Sequence, residues 1–384
     1  MDVVRLGIVG LGNMGAIHAD SVLAGKIRGL KLVAVCDSDA SRLGRYQGIS
    51  HFASVDAMIA AGAIDAILIA TPHYYHVPMG ITALRAGLHV LIEKPLSVHK
   101  ADGERLVAAH QGRRQVFAAM FNQRTDPLFQ RIREMIQGGE LGEVRRINWI
   151  ITDWFRTEAY YASNGWRATW AGEGGGILLN QCPHNLDLLQ WIFGQPQRVR
   201  AFCRFGRYHD IEVEDDVTAY LEFAHGTTGV LIASTGEAPG TNRLEVTAEG
   251  GRVVCEENRI LLTRNAVPMS EFSRKASQAF ARPETTVSSI AFPNHGGQHN
   301  EVLQNFADAV RDGRPLIAPA AEGLRSVELA NAMLLSTWLD KTVELPLEPL
   351  VFEGRLEQQI KNSRFVKKTA AMVDNEDFTR SFTR

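Results

Sequence analysis

The sequence predicts an α/β domain with a doubly wound parallel sheet, followed by an α+β domain with a large, mostly antiparallel sheet. Through about residue 120, short apolar runs alternate with stretches of helical spacing, and the apolar runs show no polar face. Strands that are apolar on both faces are typical of a parallel sheet covered by helices. Beyond residue 198, β-rich runs follow one another across short turns, which is typical of an antiparallel sheet.

The first domain is predicted from five strands and the helices between them. The strands are expected at residues 4–9, 32–36, 66–70, 89–92 and 116–119. Helical spacing is clear at residues 78–86 and 100–110. This strand–helix–strand order predicts a domain that spans residues 1–123.

The second domain is predicted to span residues 124–364 and to combine a sheet with several helices. A strand at 143–154 precedes a glycine-led apolar stretch at 172–191 that has helical spacing. Short β-rich runs follow at residues 199–205, 216–223, 228–234, 243–247, 252–256 and 260–263. Late helices are expected at 298–311 and 322–339. The poorly patterned stretch at 267–300 is typical of a lid or a subunit contact, and residues 365–384 form a polar tail.

Composition excludes several classes of protein. The 384 residues are 45% hydrophobic and 22% charged, which is ordinary for a soluble globular protein. A net charge of −2 gives no electrostatic reason to expect a nucleic acid or a membrane surface as partner, and no apolar run approaches the ~18–20 residues that span a bilayer. The cysteines are scattered and the N-terminus has no signal-peptide pattern, so we expect reduced thiols in a cytoplasmic protein.

A glycine-rich turn, GLGNMG at residues 10–15, closes the first predicted strand and leads directly into a helix. The first glycine permits a tight turn, the second lets the backbone approach a pyrophosphate, and the third allows close packing of helix on strand. Asp37 ends the next strand, where an acid accepts hydrogen bonds from the ribose hydroxyls of NAD and repels the 2′-phosphate of NADP. The turn therefore predicts NAD as the cofactor, although Arg42 nearby would suit a phosphate.

Two further predicted strands end in polar side chains. One ends in ATPHYYH at residues 70–76 and the next in Glu93-Lys94-Pro95. Ligands of open α/β sheets bind at this edge, and a lysine in a nicotinamide cleft is partly desolvated, which favours its neutral form. Lys94 is therefore predicted to take the hydroxyl proton of a substrate as hydride leaves the same carbon, with a structural salt bridge as the alternative role. Glu93 is expected to contact the cofactor or to support the fold.

The motifs GLGNMG, AVCD, ATPHYYH, EKP, FNQR and GGGILLNQCPHNLD, in this order, closely resemble the glucose–fructose oxidoreductase/inositol dehydrogenase (Gfo/Idh/MocA) family. The resemblance covers nearly the whole chain, to about residue 345. It implies a Rossmann domain that binds NAD and an antiparallel-sheet domain that carries a carbohydrate pocket. It also implies homo-oligomers, dimers or tetramers, built through the sheets.

The resemblance also implies roles for individual residues. The dinucleotide would be bound by the glycine turn and the acid after it, namely Gly10, Gly12, Asn13, Met14, Gly15 and Asp37. The nicotinamide side would be lined by residues at the strand ends, namely Thr71, Pro72, His76, Glu93 and Asn122. Lys94 matches the family's catalytic lysine, and His184 matches its catalytic histidine.

One position departs from the family pattern. Many members have an aspartate where this chain has Asn180, and an amide can orient a sugar hydroxyl or His184 but cannot accept a proton. Proton transfer is therefore expected to depend on Lys94 and His184. A helix through this apolar stretch would place Asn180 and His184 on one face, where buried polar groups need a partner from the protein or from a substrate. Asp187 is expected either to orient His184 or to pair on the helix surface.

Arginine and aromatic side chains cluster around this stretch in the sequence. Forked donors and aromatic faces suit a sugar ring or an anionic sugar, and core packing or interdomain salt bridges are the alternative roles. The residues are Arg124, Trp154, Arg156, Tyr160, Trp166, Arg167 and Arg243. His295 and His299 have the spacing of a metal pair, but no third ligand is evident, so no metal site is predicted.

These features predict an NAD-dependent oxidoreductase that oxidises a secondary hydroxyl of a cyclic polyol, a sugar or a glycoside. The alternative is an NAD-dependent glycosidase with a retained cofactor, which oxidises C3, loses the C2 proton, eliminates the aglycone, adds water and reduces the ring again. The arginines make an anionic glycoside, such as a sulfonated sugar, conceivable for that alternative. A catalytically silent NAD-sensing protein is a third class, which the presence of Lys94 and His184 disfavours.

Overall fold

The computed structural model describes residues 2–369, which form two sheets. The strands of the first sheet are all parallel. They are β1 (Val4–Val9), β2 (Leu30–Cys36), β3 (Ser50–Phe52), β4 (Ala66–Ile69), β5 (His89–Ile92) and β6 (Phe117–Ala119). Their order in space is β3-β2-β1-β4-β5-β6, so the chain changes direction between β1 and β4 and leaves a crevice at their carboxyl ends. The predicted doubly wound parallel sheet is confirmed.

Helices connect these strands and cover the sheet. They are α1 (Asn13–Leu23), α2 (Ala40–Leu43), α3 (Val55–Ala60), α4 (His76–Arg85) and α5 (Lys100–His110). Every residue of β4 is completely buried, as expected for a strand that has helices on both of its faces. Short 3₁₀ turns at His73–Tyr75 and Asn122–Thr125 lie just beyond the carboxyl ends of β4 and β6. These turns place polar side chains at the edge where ligands of such sheets bind.

The second sheet is large and mostly antiparallel, as predicted. Its strands are β7 (Val144–Ile151), β8 (Arg198–Phe205), β9 (Glu214–Glu222), β10 (Thr228–Ser234), β11 (Asn242–Ala248), β12 (Gly251–Glu256), β13 (Arg259–Asn265), β14 (Thr285–Ala291) and β15 (Val343–Glu344). They lie in the order β14-β13-β12-β11-β7-β10-β9-β8-β15. Among the described strand pairs of this second sheet, only the central pair of β7 and β10 is parallel.

Helices cover one face of the second sheet. The later helices of the chain are α6 (Pro127–Gln137), α7 (Glu158–Ala162), α8 (Pro183–Phe193), α9 (Met269–Lys275), α10 (Gln298–Asp312), α11 (Ala320–Leu339) and α12 (Pro349–Asn362). Trp149 of β7, Leu189 of α8 and Met333 of α11 are buried in one apolar core. The opposite face of the sheet exposes large side chains such as Phe202 and Tyr220.

Helix α10 packs with the first sheet, although it lies far beyond residue 123 in the sequence. Val302, Leu303 and Phe306 are buried in the same apolar cluster as the side chains of β1. The segment before α11 also reaches the sheet, because Ala119 N donates to Ala318 O at 3.0 Å. The chain thus returns to the first domain near residue 300. A single boundary at residue 123 therefore does not separate the residues of the two domains completely.

The structure differs from the sequence prediction at two places in the second domain. The glycine-led stretch at 172–191 is not a single helix, because residues 171–182 form turns and bends and α8 begins at Pro183. Proline suits the first helical position because its missing N–H needs no partner there. The stretch at 267–300 has regular structure, since it contains α9 and the edge strand β14.

Three further features concern membrane spans, cysteines and the C-terminal end of the described chain. Within residues 2–369, no helix has both the length and the apolar character needed to cross a membrane. The cysteines are all buried and form no disulfide. The predicted polar tail begins inside the described part of the chain, where residues 363–369 have no regular secondary structure, and residues 370–384 lie outside it.

Candidate active site

The glycine turn after β1 forms a cradle that larger residues would fill. Gly10 has φ +85°, and a Cβ there would lie 2.6 Å from Ala70 O. A Cβ at Gly15 would collide with the carbonyl oxygen of Gly10. At the start of α1, no side chain caps the helix and the first turn contains no acidic residue. The free N–H groups of this helix end therefore suit the phosphates of a dinucleotide.

Asp37 lies buried at the carboxyl end of β2, beside the glycine turn. Its Oδ2 accepts a hydrogen bond from Leu11 N at 2.7 Å, and its Oδ1 accepts one from Asp39 N at 2.9 Å. Arg42 Nη1 lies 3.5 Å from Oδ2. These contacts fix the carboxylate, and Oδ1, with one donor, keeps a lone pair that can accept a ribose hydroxyl. The residues present fit NAD at this position.

Two unpartnered polar atoms mark the other half of the crevice. Thr71 Oγ1 and Asn122 Oδ1 are buried, and neither has a hydrogen-bond partner among residues 2–369. Asn122 Nδ2 donates to Gln298 Oε1 at 2.5 Å, which orients the amide. Thr71 follows β4 and Asn122 follows β6, so both lie at the carboxyl edge of the sheet. Buried polar atoms without partners are costly, and the amide of a nicotinamide ring has the donors and acceptors to satisfy them.

His76 is placed differently from the role that the family resemblance implies. The side chain is completely buried, and its two ring nitrogens each lie 2.8 Å from a backbone carbonyl oxygen, of Pro95 and of Thr71. A neutral ring donates to one of these oxygens, and since a backbone carbonyl lies in front of each nitrogen, neither nitrogen is free for a cofactor. His76 therefore connects the loops after β4 and β5. Pro72 precedes the 3₁₀ turn and contributes its backbone to the same loop.

His73, three residues earlier, is the histidine of this loop that contacts the second domain. Its Nδ1 lies 3.1 Å from Glu173 O, and its ring packs edge-on against Trp166 with 5.3 Å between ring centres. Burial lowers the pKa of His73 well below its ordinary value, and the nearby charges of His76 and Lys94 act in the same direction. A neutral His73 therefore joins the first domain to the wall that holds Trp166.

Glu93 is fixed by protein partners at both carboxylate oxygens. His18 Nε2 lies 2.6 Å from Oε1, and Lys94 N donates to Oε2 at 3.1 Å. Burial alone would raise the pKa of Glu93, but the His18 hydrogen bond and the neighbouring cationic groups lower it to about 2. The carboxylate is therefore ionised at neutral pH. It is a poor proton acceptor, and it holds the Lys94 backbone against α1.

Lys94 crosses from the first domain to the second. Its Nζ donates to the backbone oxygen of Asn180 at 2.7 Å, and the Lys94–Pro95 peptide bond is cis. Burial lowers the pKa of Lys94. Glu93 and Glu173 oppose that shift, whereas Arg167 and Arg156 reinforce it. The amine therefore releases its proton more readily than an ordinary lysine, which is the property that a proton acceptor needs.

Glu173 is a site residue that the sequence prediction missed. The side chain is 1% exposed, its Oε2 accepts from Ala168 N at 2.5 Å, and its Oε1 accepts from Asn180 Nδ2. Burial raises its pKa, and Arg167 opposes the rise. The carboxylate lacking at position 180 is thus supplied by a neighbour in the chain. The signal was present in the sequence, because Glu173 is the one acid within the glycine run GEGGG.

His184 lies in the first turn of α8 and has an unsatisfied polar atom. Its Nδ1 is buried and has no hydrogen-bond partner in the described part of the chain. Burial lowers the pKa of His184 well below its ordinary value, and Lys94 and His299 lower it further. Asp187 does not orient this ring. Instead, the carboxylate of Asp187 pairs with Arg124, because the two side chains face each other across α8 and the turn after β6.

Tyr160 joins two of the predicted arginines to Asn180. Its hydroxyl lies 3.4 Å from Asn180 Oδ1 and accepts a hydrogen bond from Arg167 Nη1 at 2.9 Å. The guanidinium carbons of Arg156 and Arg167 lie 5.0 and 4.7 Å from the centre of its ring. Trp154 contributes a second ring, 5.3 Å from Arg156. These residues form a cationic and aromatic wall beside Asn180.

The other two predicted arginines lie elsewhere. Arg124 is enclosed, and its donors are used by Asp187, Glu322 and the carbonyl oxygen of Ile317. Arg243 lies on β11 and pairs with acidic side chains on the sheet, with Glu256 at 2.8 Å. Neither arginine has donors facing the Lys94 region, so the structure places both outside the site. Sequence reasoning missed this because the acids that pair with Arg124 are far away in the chain.

The histidines 295 and 299 do not form a pair. His295 Nδ1 lies 2.9 Å from Asp126 Oδ2, whereas the ring of His299 lies 5.6 Å from that of His18. Within residues 2–369, one group of side chains has the spacing of metal ligands, namely His99, Asp102 and Glu353. Arg105 donates to both carboxylates of that group. The group is thus an ion-pair network that joins α5 to α12.

The chain is similar to known proteins in family, in sequence and in structure. A model of the oxidoreductase family with an NAD-binding Rossmann fold matches residues 4–121, and a model of the GFO/IDH/MocA C-terminal domain matches residues 129–254. The chain is 30% identical to an inositol 2-dehydrogenase of Corynebacterium glutamicum, over 50% of this chain and 54% of that protein. It thus spans about half the length of that relative.

Longer matches come from another relative and from a solved structure. An inositol 2-dehydrogenase of Rhizobium meliloti is 26% identical over 87% of this chain and 96% of its own length. The WlbA dehydrogenase of Chromobacterium violaceum, solved with NADH and UDP-GlcNAcA, superposes with a TM-score of 0.78. It is 27% identical, and the match covers 91% of this chain and 97% of that one.

Proposed function

Because the chain belongs to the GFO/IDH/MocA oxidoreductase family, we propose that it is an NAD-dependent dehydrogenase that oxidises a secondary hydroxyl of a cyclic polyol, a sugar or a glycoside. The contact between Lys94, at the carboxyl edge of the parallel sheet, and Asn180, in the second domain, carries this proposal. The names of the inositol 2-dehydrogenase relatives and the NADH in the WlbA dehydrogenase structure support the substrate class and the cofactor.

The first domain holds and orients the cofactor. The glycine turn and the start of α1 bind the pyrophosphate, and Asp37 accepts the ribose hydroxyls. Thr71 Oγ1 and Asn122 Oδ1 are the atoms that orient the nicotinamide amide. When bound, NAD⁺ supplies the acceptor for the hydride that leaves the carbinol carbon. Glu93 keeps the Lys94 backbone in register with α1 through its contact with His18.

The chain's own proton chemistry centres on Lys94. In the oxidation direction, the neutral Lys94 Nζ accepts the hydroxyl proton, and the carbinol becomes a ketone. His184 offers Nδ1, which has no hydrogen-bond partner among residues 2–369, to the reacting oxygen or a neighbouring hydroxyl. Asn180, fixed by Glu173, holds the backbone carbonyl that positions the Lys94 amine. In the reverse direction, Lys94 returns the proton to the same oxygen.

The test is a screen of free polyols, free sugars and nitrophenyl glycosides with the purified protein. Steady accumulation of NADH from a polyol or sugar is the expected result. Aglycone release without added NAD and without net NADH would instead be the signature of the NAD-dependent glycosidase. Tight NADH binding with neither reaction would overturn the enzymatic proposal and favour a sensor role.

Replacing Asp37 with alanine should weaken NADH binding by about 10- to 100-fold, because a hydrogen bond to a charged group contributes about 1.5–3 kcal/mol. NADPH binding should weaken less or improve, since the repulsion of the 2′-phosphate is removed. Arg42, whose Nη1 lies 3.5 Å from Asp37 Oδ2 in the wild type, can still contact that phosphate. Fluorescence titration of both cofactors measures the ratio. An equal loss for both cofactors would mean that Asp37 acts only through the Leu11 backbone.

Replacing Glu173 with glutamine should shift the pH dependence of kcat/KM to lower pH. Glu173 raises the pKa of Lys94, so removal of its charge makes the ammonium easier to deprotonate. The glutamine keeps an oxygen and an amide near Asn180 and Ala168, whereas a Glu173→Ala control leaves their donors unpaired, at a cost of about 1–3 kcal/mol of stability. An unchanged pH profile in a folded Glu173→Gln protein would contradict this electrostatic role.

We also propose that the open face of the second sheet forms a homo-oligomer interface. A groove on this face is lined by apolar side chains, including Ile150 and Ile232, and by charges of both signs, including Arg243 and Glu245. Such a surface is self-complementary, because a two-fold axis brings arginines of one copy against acids of the other.

The oligomer proposal predicts that Ile232→Asp converts the assembly to monomers. Sedimentation velocity of the variant at the same concentration as the wild type measures the change. Leu350→Asp, on the exposed side of α12, is the matched control and should leave the assembly intact. A wild-type protein that sediments as a monomer would refute the proposal directly.

A further inference from the structure

The wall around Tyr160 contains two arginines whose donors are mostly unused. Arg156 Nη1 donates to Phe155 O at 2.9 Å, and Arg167 Nη1 donates to the Tyr160 hydroxyl at 2.9 Å. The Nε atoms of Arg156 and Arg167 are buried and have no hydrogen-bond partner among residues 2–369. Each guanidinium carries five N–H donors, so most of the hydrogen-bonding capacity of the wall is available to a ligand.

Within residues 2–369, these arginines also lack close carboxylates of the kind that accompany the buried structural arginine, Arg124. Arg124 is held by Asp187 at 2.6 Å and by Glu322 at 2.5 Å. Arg167 has Glu173, 4.0 Å away, and that carboxylate is already engaged by Asn180 and Ala168. A partly buried cation without a close counter-ion is costly, so a structural role alone does not account for the wall.

The C-terminal segment brings a third cation to the same region. Lys367 Nζ donates to the backbone oxygen of Tyr161, one residue beyond Tyr160. Burial lowers the pKa of Lys367, Glu173 opposes that shift and Arg167 reinforces it, so the charges of these side chains are close enough to interact. Lys368, the next residue, points away from this group and pairs with Asp210 on the surface. The extended segment after α12 thus places one of its lysines beside the arginines.

Cationic side chains therefore cluster around Tyr160. Arg156 and Arg167 interact electrostatically with Lys94, and Arg167 also interacts with Lys367. Glu93 and Glu173 balance the charge beside Lys94, and Glu158 and Asp210 reach Lys367 from more exposed positions, so no carboxylate is paired closely with the guanidinium groups of Arg156 and Arg167 within residues 2–369. In such a group, a bound anion replaces the missing counter-charge and uses the free N–H donors.

We infer that the substrate carries an anionic group, a carboxylate, a sulfonate or a phosphate, which is bound by Arg156 and Arg167 with support from Lys367. This inference rests on the proposed function, because it names the class of sugar that the dehydrogenase takes. Forked guanidinium donors bind planar and tetrahedral oxyanions in bidentate fashion, so all three groups fit the donors. Arg156 and Arg167 are specificity residues in this account, and Lys367 makes the C-terminal segment part of the pocket.

The experiment is a calorimetric titration of the protein saturated with NADH, using ligands that differ only at C6. The gluco series is D-glucose, D-glucuronate, 6-deoxy-6-sulfo-D-glucose and D-glucose 6-phosphate, and the corresponding galacto series is run beside it. We expect at least one anionic ligand to bind about 10-fold or more tightly than its neutral parent, which is about 1.4 kcal/mol. The preference should shrink as salt rises, because the pair is partly solvent-accessible. The tightest member identifies the oxyanion.

Variants of Arg156, Arg167 and Lys367 test whether these side chains cause the preference for an anionic ligand. Arg156→Gln and Arg167→Gln should each lower the affinity for the preferred anion by about 10-fold more than the affinity for its neutral parent, since each variant loses a charge-assisted contact to the anion. Arg167→Lys keeps the charge and should retain part of the preference. Lys367→Gln should reduce it less than either arginine variant. Lys368→Gln, with its exposed side chain, and Arg355→Gln on α12 are the matched controls and should bind as the wild type does.

The outcomes separate this inference from the proposed function. If anionic ligands bind no more tightly than their neutral parents throughout both series, the inference is overturned. The dehydrogenase proposal still stands in that case if neutral polyols reduce NAD. A preference that survives in Arg156→Gln and Arg167→Gln proteins with wild-type circular dichroism also overturns it. An anion preference lost in both variants, with no NADH formed from any sugar, supports the inference and refutes the dehydrogenase proposal.

Discussion

Replacing Lys94 with methionine should lower kcat by about 100- to 10,000-fold, which is the usual contribution of a positioned general acid–base group. Methionine preserves most of the length of the side chain but can neither accept nor return a proton. NADH affinity should be nearly unchanged, because the glycine turn and Asp37 bind the dinucleotide on the other side of the crevice. Single-turnover kinetics with saturating NAD measures the chemical step, and fluorescence titration measures the binding.

The pH dependence of kcat/KM provides a second test of Lys94 as the proton acceptor. Since burial lowers the pKa of Lys94, the neutral amine should become populated below the pH at which an ordinary lysine titrates. The wild-type kcat/KM should therefore rise with pH through the Lys94 pKa, and this limb should be missing from the residual activity of the methionine variant.

The controls test the chemistry rather than the charge. Lys94→Arg should not restore the rate, because a guanidinium stays protonated at every accessible pH. Lys31→Met, at an exposed position of β2, should leave every parameter unchanged. A Lys94→Met protein that binds NAD and turns over at the wild-type rate would refute the assignment of Lys94 as the proton acceptor.

Five strands of the parallel sheet could be predicted to within two residues, because a strand buried on both faces must be apolar throughout. The edge strand β3 is not predicted, since its side chains are largely exposed. The structure begins and ends β1 and β5 where the sequence predicts them. The edge strand β14 could not be predicted in this way. Its sequence TTVSSIA lies at the margin of the sheet with nearly every residue exposed, so burial imposes no hydrophobic period on it.

In the site, too, some residue positions follow from a local motif and others depend on tertiary packing. Positions set by the local backbone, such as the glycine turn and Asp37, lie where the sequence places them. The partners of Arg124 could not be predicted, because they are 63 and 198 residues away in the chain. His73 and His76 differ by three residues, and only the geometry of the 3₁₀ turn decides which of them faces the second domain.

Replacing Arg124 with methionine should lower the free energy of unfolding by about 3–5 kcal/mol, because removal of one member of a buried ion pair leaves the other uncompensated. Both side chains of the pair are 0–1% exposed, and two hydrogen bonds of 2.6 and 2.7 Å join them. Urea unfolding followed by circular dichroism measures the loss. The double variant Arg124→Met/Asp187→Asn should recover most of it, since the unpaired buried charge is then absent.

The pH dependence of this loss distinguishes a structural ion pair from a substrate contact. Burial raises the pKa of Asp187, and Arg124 opposes the rise. Without Arg124, the folded-state pKa of Asp187 moves further above its unfolded value of about 3.9, so the folded variant holds a proton that the unfolded chain has released. The stability deficit should therefore be small in acid and grow as pH rises above about 4. An Arg124→Met protein with wild-type stability and a raised KM for the sugar would instead establish the substrate-binding role that the sequence suggests for this arginine.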